Sequence, residues 1–308
     1  MPSLPSPIHL PPLREGATLG LIAPAGPPRP ERVEQVPALL QRMGFKAKIF
    51  PGVFSGLSAP SSFDFLAADD ATRLADLHAA LADPEVDAIY ALRGGYGCAR
   101  LTPDINLELL RRSGKPLIGY SDITTLHSLA DFLGLPSWHA PMPASDLLAP
   151  GGERDLAPVA QALHRGTRSG DVIATPAFEA HALNRGVMAR GRLVGGNLSV
   201  YVTLLGTPWQ PKLDGAVLFL EDVGEAPYRV DRMLAHLRAA GVLDAVSGFV
   251  LGGFTDEEFP ESVLAHHLHA TGKPVLAGWP SGHCSPNVAL PLGVEVVMDV
   301  AARTLTIA

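Results

Sequence analysis

Lys115-Pro-Leu-Ile-Gly-Tyr-Ser121-Asp-Ile-Thr-Thr-Leu-His-Ser-Leu-Ala-Asp-Phe-Leu133 opens as a short apolar run and changes character at a serine. Up to Tyr120 the run reads as a buried strand. From Asp122 onward, Ile123, Leu126, Leu129, Ala130 and Leu133 recur at three- and four-residue steps, the face of a helix. Ser121 therefore stands on a strand-to-helix turn. The residues upstream repeat the alternation. Thr18-Leu-Gly-Leu-Ile-Ala23 is a strand closed by Pro24-Ala25-Gly26-Pro27. Val33, Val36, Leu39, Leu40 and Met43 mark a helix over 30–43, and 46–50 reads as a second strand. A helix over 67–81 and a strand over 86–92 follow. Strands alternating with helices at this spacing predict a doubly wound parallel sheet with helices on both faces.

The second half has a different rhythm. Residues 143–190 hold Pro, Gly, Arg and Asp around one short helical pattern at 155–164. Beyond Arg190 strands become more frequent, at 216–220, 247–251, 274–277, 294–297 and 304–307. The last two read as a hairpin, and Val230, Met233, Leu234 and Leu237 mark one interrupting helix. The expected organisation is an N-terminal α/β domain over 14–165, a linker over 166–188, and a strand-rich mixed α/β domain over 189–308. No internal repeat is evident.

Composition narrows the function. Of 308 residues, 47% are hydrophobic and 18% charged, as in a well-packed globular chain. The balance of 24 basic and 31 acidic residues, net −7, argues against general affinity for nucleic acid or anionic membranes. Two cysteines are too few for a disulfide framework, which fits a reducing cytoplasm. The proline-rich start, with prolines at 2, 5, 7, 11 and 12, lacks the basic and apolar regions of a signal peptide. No uncharged apolar run approaches the roughly 20 residues of a membrane helix. The expectation is a cytoplasmic protein with no membrane or nucleic-acid partner.

Chemistry gathers at the strand ends. A serine on such a turn has its hydroxyl lifted clear of the sheet, with unpaired N–H groups of the helix start behind it. The arrangement is like a nucleophile elbow, although its glycine pattern differs from G-x-S-x-G. Ser121 or Asp122 as a simple helix cap is the plain alternative. Arg93-Gly94-Gly95-Tyr96-Gly97 follows the preceding strand and can aim N–H groups into the same cleft, cradle a phosphate, or simply turn. It lacks the lysine and hydroxyl of a P-loop. A serine nucleophile needs a base and an orienting acid. His283, in the loop Gly278-Trp-Pro-Ser-Gly-His-Cys-Ser-Pro-Asn287, suits the first role. Glu221, at the end of the apolar strand from Ala216, suits the second, with Asp222 and Glu225 as rivals. His266, His267 and His269 lack a third metal ligand, so no metal site is expected. His127 should point away from the elbow, His139 is ambiguous, and Cys98 and Cys284 read as ordinary small side chains.

Six segments taken in order resemble the LD-carboxypeptidase family, serine peptidases related to the microcin C self-immunity protein. They are Gly20-Leu-Ile-Ala-Pro-Ala-Gly26, Ala91-Leu-Arg-Gly-Gly-Tyr-Gly97, Leu117-Ile-Gly-Tyr-Ser-Asp122, Gly191-Arg-Leu-Val-Gly-Gly-Asn-Leu198, Leu218-Phe-Leu-Glu-Asp-Val-Gly-Glu225 continuing into Pro227-Tyr-Arg-Val-Asp-Arg232, and the region from Gly278 to Gly293. The resemblance implies a flavodoxin-like doubly wound domain carrying the nucleophile and a mixed domain carrying acid and base. It implies a triad of Ser121, Glu221 and His283, oxyanion donors at the backbone of Gly95 and Asp122, and homodimers. No cofactor is implied. It also implies a murein tetrapeptide substrate, cleaved at an L,D bond to release terminal D-alanine in cell-wall recycling. Arg93 and Arg229 are candidates for binding the substrate carboxylate, which suits a guanidinium fork. Two other readings compete. One is an immunity-type amidase acting on aminoacyl nucleotides, with Trp138, Trp209 or Trp279 as a base platform. The other is a non-catalytic module gripping phosphate through 93–97.

Overall fold

A computed structural model describes residues 8–58, 63–173 and 180–308. The prolines at 2, 5 and 7, and positions 174–179 of the expected linker, lie outside the described residues. Five short strands of the first half pair in parallel: β1 (Thr18–Ile22), β2 (Lys46–Ile49), β3 (Ala88–Ala91), β4 (Leu117–Gly119) and β5 (Ser137–His139). Their order, 5-4-3-1-2, is that of the flavodoxin-like doubly wound sheet. The chain reverses its direction of winding between β1 and β3, and the loops leaving β1, β3 and β4 converge at that switch point. The second sheet contains β6 (Met188–Asn197), β7 (Val217–Val223), β8 (Gly248–Thr255) and β9 (Val275–Ala277) in parallel. A tenth strand, β10 (Leu290–Leu292), crosses over and pairs antiparallel with β5 of the first sheet. The closing strands β11 (Glu295–Asp299) and β12 (Thr304–Ile307) form the expected antiparallel hairpin, with β11 against β6. The fold class is α/β, with two mixed sheets, the first parallel but for β10 at its edge.

Local chemistry accounts for where elements start and stop. The helix expected over 30–43 is two, Pro30–Val33 and Val36–Arg42. Pro37 has no N–H for the preceding turn, and its ring crowds the carbonyl four residues back, so the first helix ends before it. The helix Asp70–Ala82 begins where it does because the Asp69 carboxylate accepts the Thr72 N–H at 2.7 Å. β6 was not anticipated, since its Gly191, Gly195 and Gly196 are poor strand formers. Those glycines let β6 approach its neighbours closely. A Cβ on Gly191 would stand 1.9 Å from the Gly215 carbonyl oxygen, and one on Gly195 equally close to that of Phe219.

The apolar side chains sort into one core around the first sheet and one on each face of the second. The two halves meet where the helix Thr124–Phe132 lies against β6. The Asn197 N–H donates to Thr124 Oγ1 at 3.0 Å, and Arg192 Nε donates to Asp131 Oδ1 at 2.6 Å. Burial raises the Asp131 carboxyl above its usual range, and the Arg192 charge opposes that rise. Removing one partner of such a pair strands the other. Arg192→Met is therefore expected to destabilise the protein by roughly 3 kcal/mol, read as a lower urea midpoint.

Candidate active site

Ser121 begins a single 3₁₀ turn, Ser121–Ile123, that feeds the helix Thr124–Phe132. Its φ is +64°, in the left-handed region that non-glycine residues avoid. Such strain costs about 1–3 kcal/mol and persists only where the surroundings enforce it. Capping does not explain it, since no side chain caps either helical segment. The Asp122 carboxylate instead reaches across to accept the Cys98 N–H at 2.8 Å, tying the glycine loop to the elbow. Gly94 then faces the serine so closely that a Cβ there would lie 2.8 Å from Ser121 Cβ and 2.9 Å from Oγ. The same point is 3.5 Å from the Asp122 nitrogen. Gly95 packs on Gly26, whose N–H donates to the Gly94 carbonyl at 3.0 Å. Three strand-end loops thus lock the serine from one side.

The other side comes from the second sheet. β7 is buried along its length, and Glu221 near its end has no exposed surface. Glu221 Oε2 accepts two hydrogen bonds, from His283 Nδ1 at 2.7 Å and from the His283 backbone N–H at 3.0 Å. Burial works to raise the carboxyl, but the His283 charge, together with the His139 and His283 imidazoles beside its oxygens, outweighs it, so Glu221 stays ionised well below the ordinary range. Burial likewise works to lower the His283 ring, and the Glu221 charge reverses it, so the ring's pKa rises. The His283 ring centroid is 4.8 Å from that of Tyr120, the residue directly before Ser121.

Glycines make this approach possible. The pairing of β7 with β8 slips between Leu220 and Asp222, so that Gly252 and Gly253 of β8 stand opposite the single residue Glu221. The Ser281 carbonyl accepts the Gly253 N–H at 3.0 Å, so the histidine loop lies directly on the strand. A Cβ on Gly252 would be 2.5 Å from the Ser281 oxygen, and one on Gly282 2.5 Å from Glu221 Oε2. Alternation along β7 separates Glu221 from its rivals. Asp222 turns to accept from Asn197 Nδ2 at 2.9 Å and the Ser199 N–H at 2.8 Å, and burial pushes its carboxyl up to about 6. Glu225 lies 3.8 Å from Arg229.

A cleft of about 620 Å³ opens beside this pair, walled by Tyr120, Asp146, Arg154, Asp155, His283 and Asn287 among others. Tyr120 donates its hydroxyl to Asp146 Oδ1 at 2.9 Å, fixing the ring that touches His283.

Residues 19–140 match the LD-carboxypeptidase N-terminal domain, and residues 190–298 the LD-carboxypeptidase C-terminal domain. A probable murein peptide carboxypeptidase of Bacillus subtilis is 35% identical over 306 residues, covering 96% of this chain and 92% of its own. The chain belongs to the LD-carboxypeptidase family. That membership makes it a serine carboxypeptidase, a hydrolase. The murein tetrapeptide carboxypeptidase of Pseudomonas aeruginosa is 34% identical over 262 residues, 79% of this chain and 82% of the relative. Among solved structures, MccF in complex with glutamyl sulfamoyl guanosine superposes with a TM-score of 0.87, covering 98% of both chains at 23% identity, which is a likeness of fold.

In this LD-carboxypeptidase the two arginines named from sequence lie off the cleft wall. Arg93 turns back to donate to the Pro27 carbonyl at 2.8 Å. Arg229 is exposed beside Tyr228. The arginine on the wall is Arg154, which no sequence signal singled out. His267 pairs with Asp231 at 2.8 Å and His269 with the Leu183 carbonyl at 3.0 Å, so these two histidines of the cluster have structural partners. His127 is buried between Ser137 Oγ and the Gly119 carbonyl, both at 2.8 Å, and burial lowers its pKa to about 3. Burial raises both thiols, Cys284 to about 12, so neither ionises readily. The glycine contact at the elbow makes a sharp expectation. Gly94→Ala should fold with little change in melting temperature yet lose 100-fold or more in kcat/KM, because the new methyl displaces the Ser121 side chain.

Proposed function

We propose that Ser121, His283 and Glu221 form the proton relay of this carboxypeptidase. The hydrogen-bonded Glu221–His283 pair, its ring packed on Tyr120 directly before a serine held at positive φ, carries that reading. Ser121 Oγ attacks the scissile carbonyl while His283 Nε2 takes its proton and then passes it to the leaving amine. Glu221 holds the proton on Nδ1 and stabilises the imidazolium. The backbone N–H groups of Gly95 and Asp122 face the developing oxyanion, and losing one such donor typically costs about 3–4 kcal/mol. Water then hydrolyses the acyl-enzyme. The Arg93–Gly97 loop serves the serine and not a phosphate in this reading, since Gly94 is filled by Ser121 and Gly95 by Gly26.

The substrate we assign is the murein tetrapeptide, with release of its terminal D-alanine in the cytoplasm as part of wall recycling. The names of the Bacillus and Pseudomonas relatives support it. Arg154 on the cleft wall has the guanidinium fork that a free substrate carboxylate requires. The immunity-type reading needs an aromatic platform for a base, and the tryptophans do not supply it. Trp138 and Trp279 are buried, and Trp209 packs edge-on against Phe132, away from the cleft. Among the described residues, no helix is long and apolar enough to cross a membrane. A homodimer, implied by the family, belongs to the same proposal, and light scattering decides it.

Incubation of the protein with a murein tetrapeptide should remove one alanine by mass spectrometry, and Ser121→Ala should abolish that loss while leaving the circular dichroism spectrum unchanged. An intact tetrapeptide overturns the substrate; undiminished turnover by the variant overturns the nucleophile. The pH profile tests the relay. Because the His283 pKa is raised in the folded protein, the ring holds its proton to higher pH and the base is switched off below it. The acidic limb of kcat/KM should therefore lie above the ordinary histidine value of about 6.5. In Glu221→Gln the largest charge holding the proton on the ring is gone and only Asp146 and Asp222 still oppose burial, so the limb should move down while kcat falls by several orders of magnitude.

A further inference from the structure

His139 is the last residue of β5, in register with Gly119 of β4 two residues before Ser121. Its side chain is wholly buried, yet neither ring nitrogen has a hydrogen-bond partner among the described residues. The ring lies edge-on to Phe219 at 5.0 Å and to Tyr120 at 5.4 Å. Its neighbour His127, at 6.4 Å between ring centroids, has both nitrogens satisfied. Buried polar atoms left without partners are rare, and each calls for a reason. One more such atom lies beside it. Glu221 Oε1 has no hydrogen-bond partner either, while Oε2 carries both bonds to His283. His139 Nε2 and Glu221 Oε1 are 3.9 Å apart. That is too long for a hydrogen bond and short enough to become one by a small tilt of either side chain.

We propose that His139 is a positioning residue for Glu221, donating from Nε2 to Oε1 after a small tilt of either side chain. The inference rests on the relay proposed above and extends it by one member. A carboxylate held through one oxygen alone can swing about its bond to Cγ, and each swing misdirects Oε2 from the His283 ring. A donor on Oε1 removes that freedom, leaving Oε2 aimed at Nδ1. It also ties the two halves together at the chemistry, since His139 belongs to the first sheet and Glu221 to the second. His139 does not touch the cleft, so its action is on the relay and not on substrate affinity.

Labelling of Ser121 by a fluorophosphonate reads the relay without any peptide. His139→Phe should slow labelling at least tenfold, whereas His139→Gln, which keeps an N–H donor at a similar reach, should stay within threefold of wild type. In a Glu221→Gln background the Phe substitution should change nothing further, because the residue it acts through is gone. The downfield proton resonance of the His283 Nδ1–H should weaken in His139→Phe and persist in His139→Gln. On the tetrapeptide, kcat should fall and KM hold. Equal slowing in both backgrounds, or no slowing at all, overturns the proposal. If His139→Phe does not fold, His139→Met, of similar size and without a donor, takes its place. Wild-type protein that takes the label but leaves the tetrapeptide whole overturns the substrate reading and not this one, and protein that refuses the label overturns both.

Discussion

A carboxylate without exposed surface has no water to stabilise its charge, and Glu221 is such a group. Desolvation alone would protonate it. What keeps it ionised is the charge and hydrogen bonding of His283, helped by the His139 imidazole 3.9 Å from its other oxygen, so the histidine loop has one place to sit. Everything nearby is shaped to let that loop in. Gly252, Gly253 and Gly282 carry no Cβ where a Cβ would collide with the loop or with the carboxylate itself. Asn287 Oδ1 accepts the Gly282 N–H at 3.0 Å, and Thr255 Oγ1 donates to the His283 carbonyl at 2.6 Å, closing the loop onto β8. The pair is thus costly to assemble and has one solution once assembled.

The serine obeys a complementary logic. A parallel sheet delivers the ends of β1, β3 and β4 to one edge, and the reversal of winding there leaves a crevice. Ser121 sits in that crevice in a backbone conformation that a chain adopts only under constraint. The constraint is visible in the Asp122–Cys98 hydrogen bond, the Gly94 contact and the Gly26–Gly94 bond. Tyr120 bridges the two systems, with its hydroxyl on Asp146 and its ring between His139 and His283. Neither half holds a complete site. Contacts that join the halves, among them Asn197 to Thr124 and Arg192 to Asp131, therefore bear on chemistry as well as on stability.

Much of this was legible in the order of residues. The apolar run into Ser121 followed by helical spacing placed the elbow, and the alternation around it placed the parallel sheet. The end of the apolar strand from Ala216 marked the acidic cluster, and the loop formers around His283 marked a platform. Choosing Glu221 over Asp222 and Glu225 needed more than spacing, because adjacent residues on a strand differ only in which face they take. The strand β6 was hidden by its glycines, which weaken every local strand signal and are present because neighbouring backbones come too close for side chains. The crossing of β10 into the first sheet was hidden as well, since three residues with a central proline carry no information about their partner. Gly252 and Gly253 escaped notice because what distinguishes them is a neighbour brought in from elsewhere in the chain.

Adjacent carboxylates on β7 show how environment divides labour between like groups. Glu221 has an imidazole beside it and is driven down; Asp222, one residue on, faces the Asn197 turn and is driven up to about 6 by burial. The consequences for stability have opposite signs. A carboxyl depressed in the folded protein contributes stability that is lost as pH falls through its folded value. One that is raised favours the folded state only while protonated, and loses that advantage as pH rises from about 4 to about 6. At neutral pH Asp222 is therefore a burden on the fold. Its retention makes sense through what its oxygens hold. They accept from Asn197 Nδ2 and from the Ser199 N–H at the start of the helix Leu198–Val202, and the Asn197 backbone N–H in turn meets Thr124 Oγ1 three residues beyond Ser121. A destabilising buried charge fastens the second sheet against the helix that carries the elbow, so the two halves of the site keep their spacing.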